Sequence, residues 1–103
     1  MHPLIQQHRF AIAELCRRYR VRRLEVFGSA ARGDDFDPEI SDVDFLVEFD
    51  APDLEGFARA YFDFEDALQA IVGREVDLVS RSAIRNPYFL ADVETTRELL
   101  YEA

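Results

Sequence analysis

The chain has 103 residues, 49% of them hydrophobic and 32% charged, with a formal net charge of −9. That length fits one domain, residues 1–103, and the apolar content is enough for a packed core, which excludes a disordered chain. The acidic balance opposes nonspecific binding to nucleic-acid backbones, so no direct nucleic-acid partner is expected; a cationic protein or bound metal ions suit the charge better.

The N-terminal Met1-His2-Pro3-Leu4 has neither the basic region nor the apolar run of a secretory leader. No segment approaches the roughly 20 apolar residues of a membrane span. A soluble, cytoplasmic protein with no membrane partner is therefore expected. From Leu4 to Tyr19 the apolar residues Ile5, Ile12, Leu15, Cys16 and Tyr19 recur at helical spacing, with His8 on the same stripe. Cys16 is the only cysteine, so it cannot form an intramolecular disulfide and reads as a small buried hydrophobe. Arg17, Arg18, Arg20, Arg22 and Arg23 cluster at the C-terminal end of this helix, where cations oppose the negative end of its dipole. A patch that guides a triphosphate is the sharper alternative.

Leu24 to Phe27 reads as a short buried strand that runs into Gly28-Ser29-Ala30-Ala31-Arg32-Gly33. Asp34 to Ser41 is polar, contains Pro38 and reads as a loop. Asp42 to Phe49 alternates as a strand, with Val43, Phe45, Val47 and Phe49 on one side and Asp42, Asp44, Leu46 and Glu48 on the other. Asp53 is placed to cap a second helix over 54–72. Its stripe is Leu54, Phe57, Ala58, Tyr61, Leu68, Ile71 and Val72, with Phe62 and Phe64 beside it, and Gly73 stops it. Glu75 to Ser80 is a third strand with Asp77 opposite its apolar neighbours Val76 and Leu78. Asn86-Pro87 is a cap followed by proline at the first helical position, opening a last helix to about Tyr101. The order helix, strand, strand, helix, strand, helix implies an α/β (α+β) fold, a small mixed sheet covered by helices.

Asp42 and Asp44 are two apart on a strand, so both side chains leave one face, with Cα atoms on the order of 6.5–7 Å apart. Carboxylates that close repel one another. A divalent cation turns repulsion into ligation, and Mg²⁺ prefers hard oxygen ligands completed by water and substrate phosphates. If the strand carrying Asp77 lies alongside, three carboxylates converge, enough to hold two metals at the roughly 3.5–4 Å spacing used in in-line phosphoryl displacement. An Asp-x-Asp pair alone is ordinarily a solvated face; the glycine-serine turn upstream changes its meaning.

A glycine directly after a strand permits positive φ and a close approach of backbone to a ligand. Ser29 offers a hydroxyl and an amide, and Arg32 a planar guanidinium suited to phosphate oxygens. Gly28, Ser29 and Arg32 are thus candidate nucleotide-binding residues. The chain has no lysine and no P-loop spacing, which excludes a Walker-type site.

Phe27-Gly28-Ser29-Ala30-Ala31-Arg32-Gly33 followed by Ser41-Asp42-Val43-Asp44-Phe45-Leu46-Val47 resembles the signature of the DNA polymerase β-like nucleotidyltransferase superfamily. With the short length and the segment Arg74-Glu75-Val76-Asp77-Leu78-Val79, the chain is similar to the minimal nucleotidyltransferase (MNT) antitoxins that pair with HEPN toxins. The resemblance implies that Gly28 and Ser29 hold the triphosphate of ATP. It implies that Asp42 and Asp44 ligate two Mg²⁺ ions, and that Asp77 ligates the catalytic one and helps deprotonate the attacking hydroxyl. The implied activity is transfer of AMP to a tyrosine of a HEPN ribonuclease toxin, neutralising it. The connection from Ala30 to Ser41 is twelve residues, against about ten expected from the resemblance, an insertion that loops absorb at little entropic cost.

Two other functions fit the same residues. One is a catalytically weak antitoxin that neutralises its toxin by binding alone, which would not require Asp42, Asp44 and Asp77 together. The other is a small-molecule nucleotidyltransferase, which needs a partner subunit to supply the substrate-binding half.

Overall fold

The computed structural model describes residues 1–33, 42–50 and 54–103. The loop expected over 34–41 and the cap expected at Asp53 lie outside these described residues. The elements are α1 (Pro3–Gln7), α2 (Arg9–Arg18), β1 (Val21–Phe27), α3 (Ser29–Arg32), β2 (Val43–Phe49), α4 (Leu54–Val72) and β3 (Val76–Ser80). A 3-10 turn at Arg81–Ala83, α5 (Pro87–Thr96) and β4 (Glu98–Glu102) complete the chain. The four strands form one sheet in the order β3-β2-β1-β4. β1 pairs antiparallel with β2 and with β4, and β2 pairs parallel with β3. A parallel pair needs a crossover, and α4 supplies it. The expected mixed sheet with helices is therefore present.

The main core lies on one face of the sheet. Leu24 and Val26 of β1, Val43, Phe45 and Val47 of β2, and Val76 and Leu78 of β3 point into it, as alternation requires. Ile5, Ile12, Leu15 and Cys16 meet them from α1 and α2, and Phe64, Leu68 and Val72 from α4. Phe64 is fully buried while Phe62 is 60% exposed, because Phe64 sits three residues after Tyr61 and four before Leu68 on the helical stripe. Ala58, expected on that stripe, is exposed. Gly73 ends α4 at φ +74°, its N–H bonded to the Gln69 carbonyl.

Three expectations need correction. The first helix is two helices, parted at His8 (φ −103°, ψ 6°). Ile5 and Ile12 are both fully buried, so the apolar stripe continues across the break and does not reveal it. The last helix stops at Thr96, and Glu98–Glu102 is a strand on the outer edge of β1. Glu, Leu and Leu favour a helix locally, but the unpaired edge of β1 offers backbone hydrogen bonds that only the folded sheet provides. Finally, β1 starts at Val21, so the arginine cluster is divided. Arg17 and Arg18 close α2, while Arg22 and Arg23 lie in β1. Arg23 pairs with Glu25 and Glu102. It sits four strand residues, about 13 Å, from Phe27.

Candidate active site

The second face of the sheet carries the charged residues. At one end of the sheet, Phe27 is the register partner of Asp44, and Asp44 is the register partner of Asp77. Adjacent strands lie about 4.8 Å apart, and both aspartates occupy positions opposite the core-facing residues. The structure thus brings Asp44 and Asp77 side by side. Asp42 lies exposed at the rim, one residue before β2.

Electrostatics follow from this packing. Burial pushes the Asp44 carboxyl up from 3.8 to about 6, the charges of Asp77 and then Asp42 push it the same way, and the Arg32 guanidinium pulls it back. Burial first and neighbouring charge second thus penalise the ionised Asp44, a penalty that a cation would relieve. Burial, with the charges of neighbouring carboxylates including Asp77, also raises the Tyr61 hydroxyl and the Glu65 carboxyl of α4.

Among the described residues, no three His, Cys, Asp or Glu side chains already stand close enough to enclose a metal ion. Mg²⁺ is usually held by one or two carboxylates, with water and substrate phosphates supplying the rest, rather than by an all-protein cage. The two carboxylates that the sheet brings side by side, Asp44 and Asp77, are hard oxygen donors of that kind.

Gly28 shows why glycine occupies the turn. Its φ of 70° and ψ of −149° belong to a backbone region essentially reserved for glycine. A Cβ at this position would lie 2.6 Å from Asp44 Oδ2, so any side chain would displace the carboxylate. The turn is thus packed directly against the aspartate. The Gly28 N–H donates to Thr96 Oγ1 at 3.0 Å, so its amide is directed into the protein. The positive φ expected of Gly28 is present, and the acceptor of its amide is a residue the sequence did not point to. Ser29 opens α3, Ala30 and Ala31 pack into the main core, and Arg32 ends the helix on the exposed side.

Thr96 was not among the residues singled out from the sequence. It stands 68 residues from Gly28, and no local pattern marks it. Glu25 was missed as well. It is 3% exposed and lies within 3.1 Å of Arg23, 3.7 Å of Arg81 and 3.6 Å of Arg97. Above this face, α5 rests on a small apolar cluster of Phe27, Leu46 and Val93, and Phe89 meets Phe27 edge-on at 5.9 Å. Beyond Asp77, an apolar cleft of about 480 Å³ opens between α4 and β3, lined in part by Phe57, Tyr61, Phe62 and Val79.

A profile of the nucleotidyltransferase domain matches residues 10–100. The chain belongs to this nucleotidyltransferase family. It is similar to MJ0128 of Methanocaldococcus jannaschii, provisionally named a protein adenylyltransferase, at 37% identity over 95% of this chain and 90% of that one. The protein adenylyltransferase MntA of Thermococcus cleftensis is 42% identical over 71% of this chain and 69% of its own length. Among solved structures, one described as a minimal nucleotidyltransferase superposes with a TM-score of 0.68 at 34% identity, covering 91% of this chain and 90% of that one. A toxin–antitoxin complex crystallised with AMP-PNP has a chain of the same fold, with a TM-score of 0.68 at 22% identity over 92% of this chain and 73% of that one. Among the described residues, no helix of this nucleotidyltransferase is long and apolar enough to cross a membrane.

Proposed function

We propose that this nucleotidyltransferase is an antitoxin that transfers AMP from ATP to a tyrosine hydroxyl of a HEPN-type toxin. The observation that carries the reading is the Gly28 turn packed against Asp44, with Asp77 beside it in register. A triphosphate lying along the turn would present its α-phosphate to the carboxylates. The names of the relatives support adenylyl transfer to protein, and the complexes that share the fold support a toxin as the partner.

The roles follow from chemistry. The Ser29 hydroxyl and amide hold phosphate oxygens, and Arg32 offers a planar guanidinium to the same charge. Asp42, Asp44 and Asp77 would hold Mg²⁺. When bound, the ions neutralise charge on the triphosphate and on the departing pyrophosphate. An Asp77 carboxylate oxygen takes the proton from the incoming hydroxyl, whose oxygen bonds to the α-phosphorus. The bond from that phosphorus to the bridging oxygen breaks, and pyrophosphate leaves.

Incubation with ATP, Mg²⁺ and the protein encoded beside it should add AMP to that protein, read by intact-mass spectrometry. The double substitution Asp42→Asn and Asp44→Asn should abolish the addition. Persistent transfer would show that the carboxylates are assigned wrongly. A wild type that silences its partner without modifying it would make this an antitoxin that acts by masking.

A further inference from the structure

We propose that Thr96 is the positioning residue for the nucleotide-binding turn, an inference that rests on the nucleotidyltransferase reading of this site. Its hydroxyl is used twice. It donates to the Asp92 carbonyl one helical turn back at 3.3 Å. That commits its hydrogen and leaves a lone pair for the Gly28 N–H at 3.0 Å.

Thr96 is itself held in place. It is the last residue of α5. Three residues earlier, Val93 is fully buried against Phe27 and Leu46. One residue later, Arg97 reaches Glu25 at 3.6 Å and Glu94 at 3.0 Å. Arg81 joins the same carboxylates at 3.7 and 3.5 Å. The end of α5 is therefore fixed to β1 by an apolar contact and by a buried carboxylate surrounded by arginines. Of the two hydroxyls at this end, that of Thr95 turns back to the Ala91 carbonyl, and that of Thr96 meets the amide of Gly28, whose φ is 70°.

The consequence concerns Ser29. With the Gly28 amide held by Thr96, the turn keeps the conformation that lies against Asp44, and Ser29 is presented at a fixed distance from the carboxylates. Without the hydroxyl, the Gly28 amide must find another acceptor, and any acceptor outside the protein turns the peptide away from α5. Thr96 touches no substrate in this account; it acts through Gly28.

The test compares Thr96→Val, which keeps the shape and loses the hydroxyl, with Thr96→Ser, which keeps the hydroxyl. Two quantities are read on the full chain: amide exchange at Gly28 by NMR, and affinity for AMP-PNP with Mg²⁺. In Thr96→Val, Gly28 exchange should rise about tenfold and affinity should fall about tenfold, the size of one lost hydrogen bond. Exchange at Leu46 in the sheet should stay unchanged, and Thr96→Ser should restore both quantities. Should Thr96→Val fail to fold, Thr96→Ala takes its place in the same comparison. Wild-type exchange and affinity in the variant lacking the hydroxyl would overturn the proposal, as would failure of the serine to restore them. If the wild type does not bind AMP-PNP, the nucleotidyltransferase reading fails, while Gly28 exchange still decides what Thr96 does.

Discussion

Replacing Asp44 by asparagine is expected to stabilise the metal-free protein while destroying its activity. The folded protein holds the Asp44 carboxyl at about 6 against an ordinary 3.8, chiefly by burial and then by the charges of Asp77 and Asp42. At 1.36 kcal/mol for each tenfold change, that difference amounts to about 3 kcal/mol before screening. Asp44 is only half-buried, so solvent reduces the penalty to about 1–2 kcal/mol. The sign follows from linkage. A carboxyl raised in the folded state binds its proton more tightly there, so the penalty is absent below about pH 3.8, develops between 3.8 and about 6, and is complete above. Urea denaturation in EDTA at pH 7.5 should find Asp44→Asn more stable than wild type by about 1–2 kcal/mol. At pH 4 the two proteins should nearly coincide. Equal differences at both pH values, or a less stable variant at pH 7.5, would refute the claim that burial and neighbouring charge penalise the ionised Asp44.

Gly28→Ala is expected to destabilise the protein by about 1–3 kcal/mol from its backbone conformation and to abolish transfer, since the new Cβ would meet Asp44 Oδ2 at 2.6 Å; thermal melts and a transfer assay check both. Glu25→Gln should cost about 2–3 kcal/mol in urea denaturation, because it removes the buried charge shared by Arg23, Arg81 and Arg97. A loss below about 0.5 kcal/mol would mean that solvent screens these pairs as it does at a surface.

The site was more legible in the sequence than the frame that supports it. Alternation in Asp42–Phe49 and Val76–Ser80 is a period-2 signal strong enough to separate Asp44 and Asp77 from the core before any coordinates exist. Adjacency of the two strands followed only from the parallel pairing, which the helix over 54–72 makes possible. The glycine of the turn and its positive φ were visible, but its neighbours were not. The packing that leaves no room for a Cβ beside Asp44 and the bond to Thr96 join residues far apart in the chain. β4 was misread for the same kind of reason. Glu98-Leu99-Leu100-Tyr101-Glu102 satisfies a helical pattern locally, and the outer edge of β1 decides against it. Glu25 read as one acidic residue within a short buried strand, since the arginines that surround it come from β1, from the 3-10 turn and from the residue after α5.

The most direct test of adenylyl transfer is to follow the two ends of the triphosphate separately. The protein and its cognate partner are incubated with ATP labelled either at the α-phosphate or at the γ-phosphate, in Mg²⁺. Transfer centred on Asp42, Asp44 and Asp77 predicts covalent α-label on the partner, with the γ-label of the consumed ATP recovered as pyrophosphate. Label from the γ-phosphate on the partner, or a silenced partner carrying neither label, would contradict it.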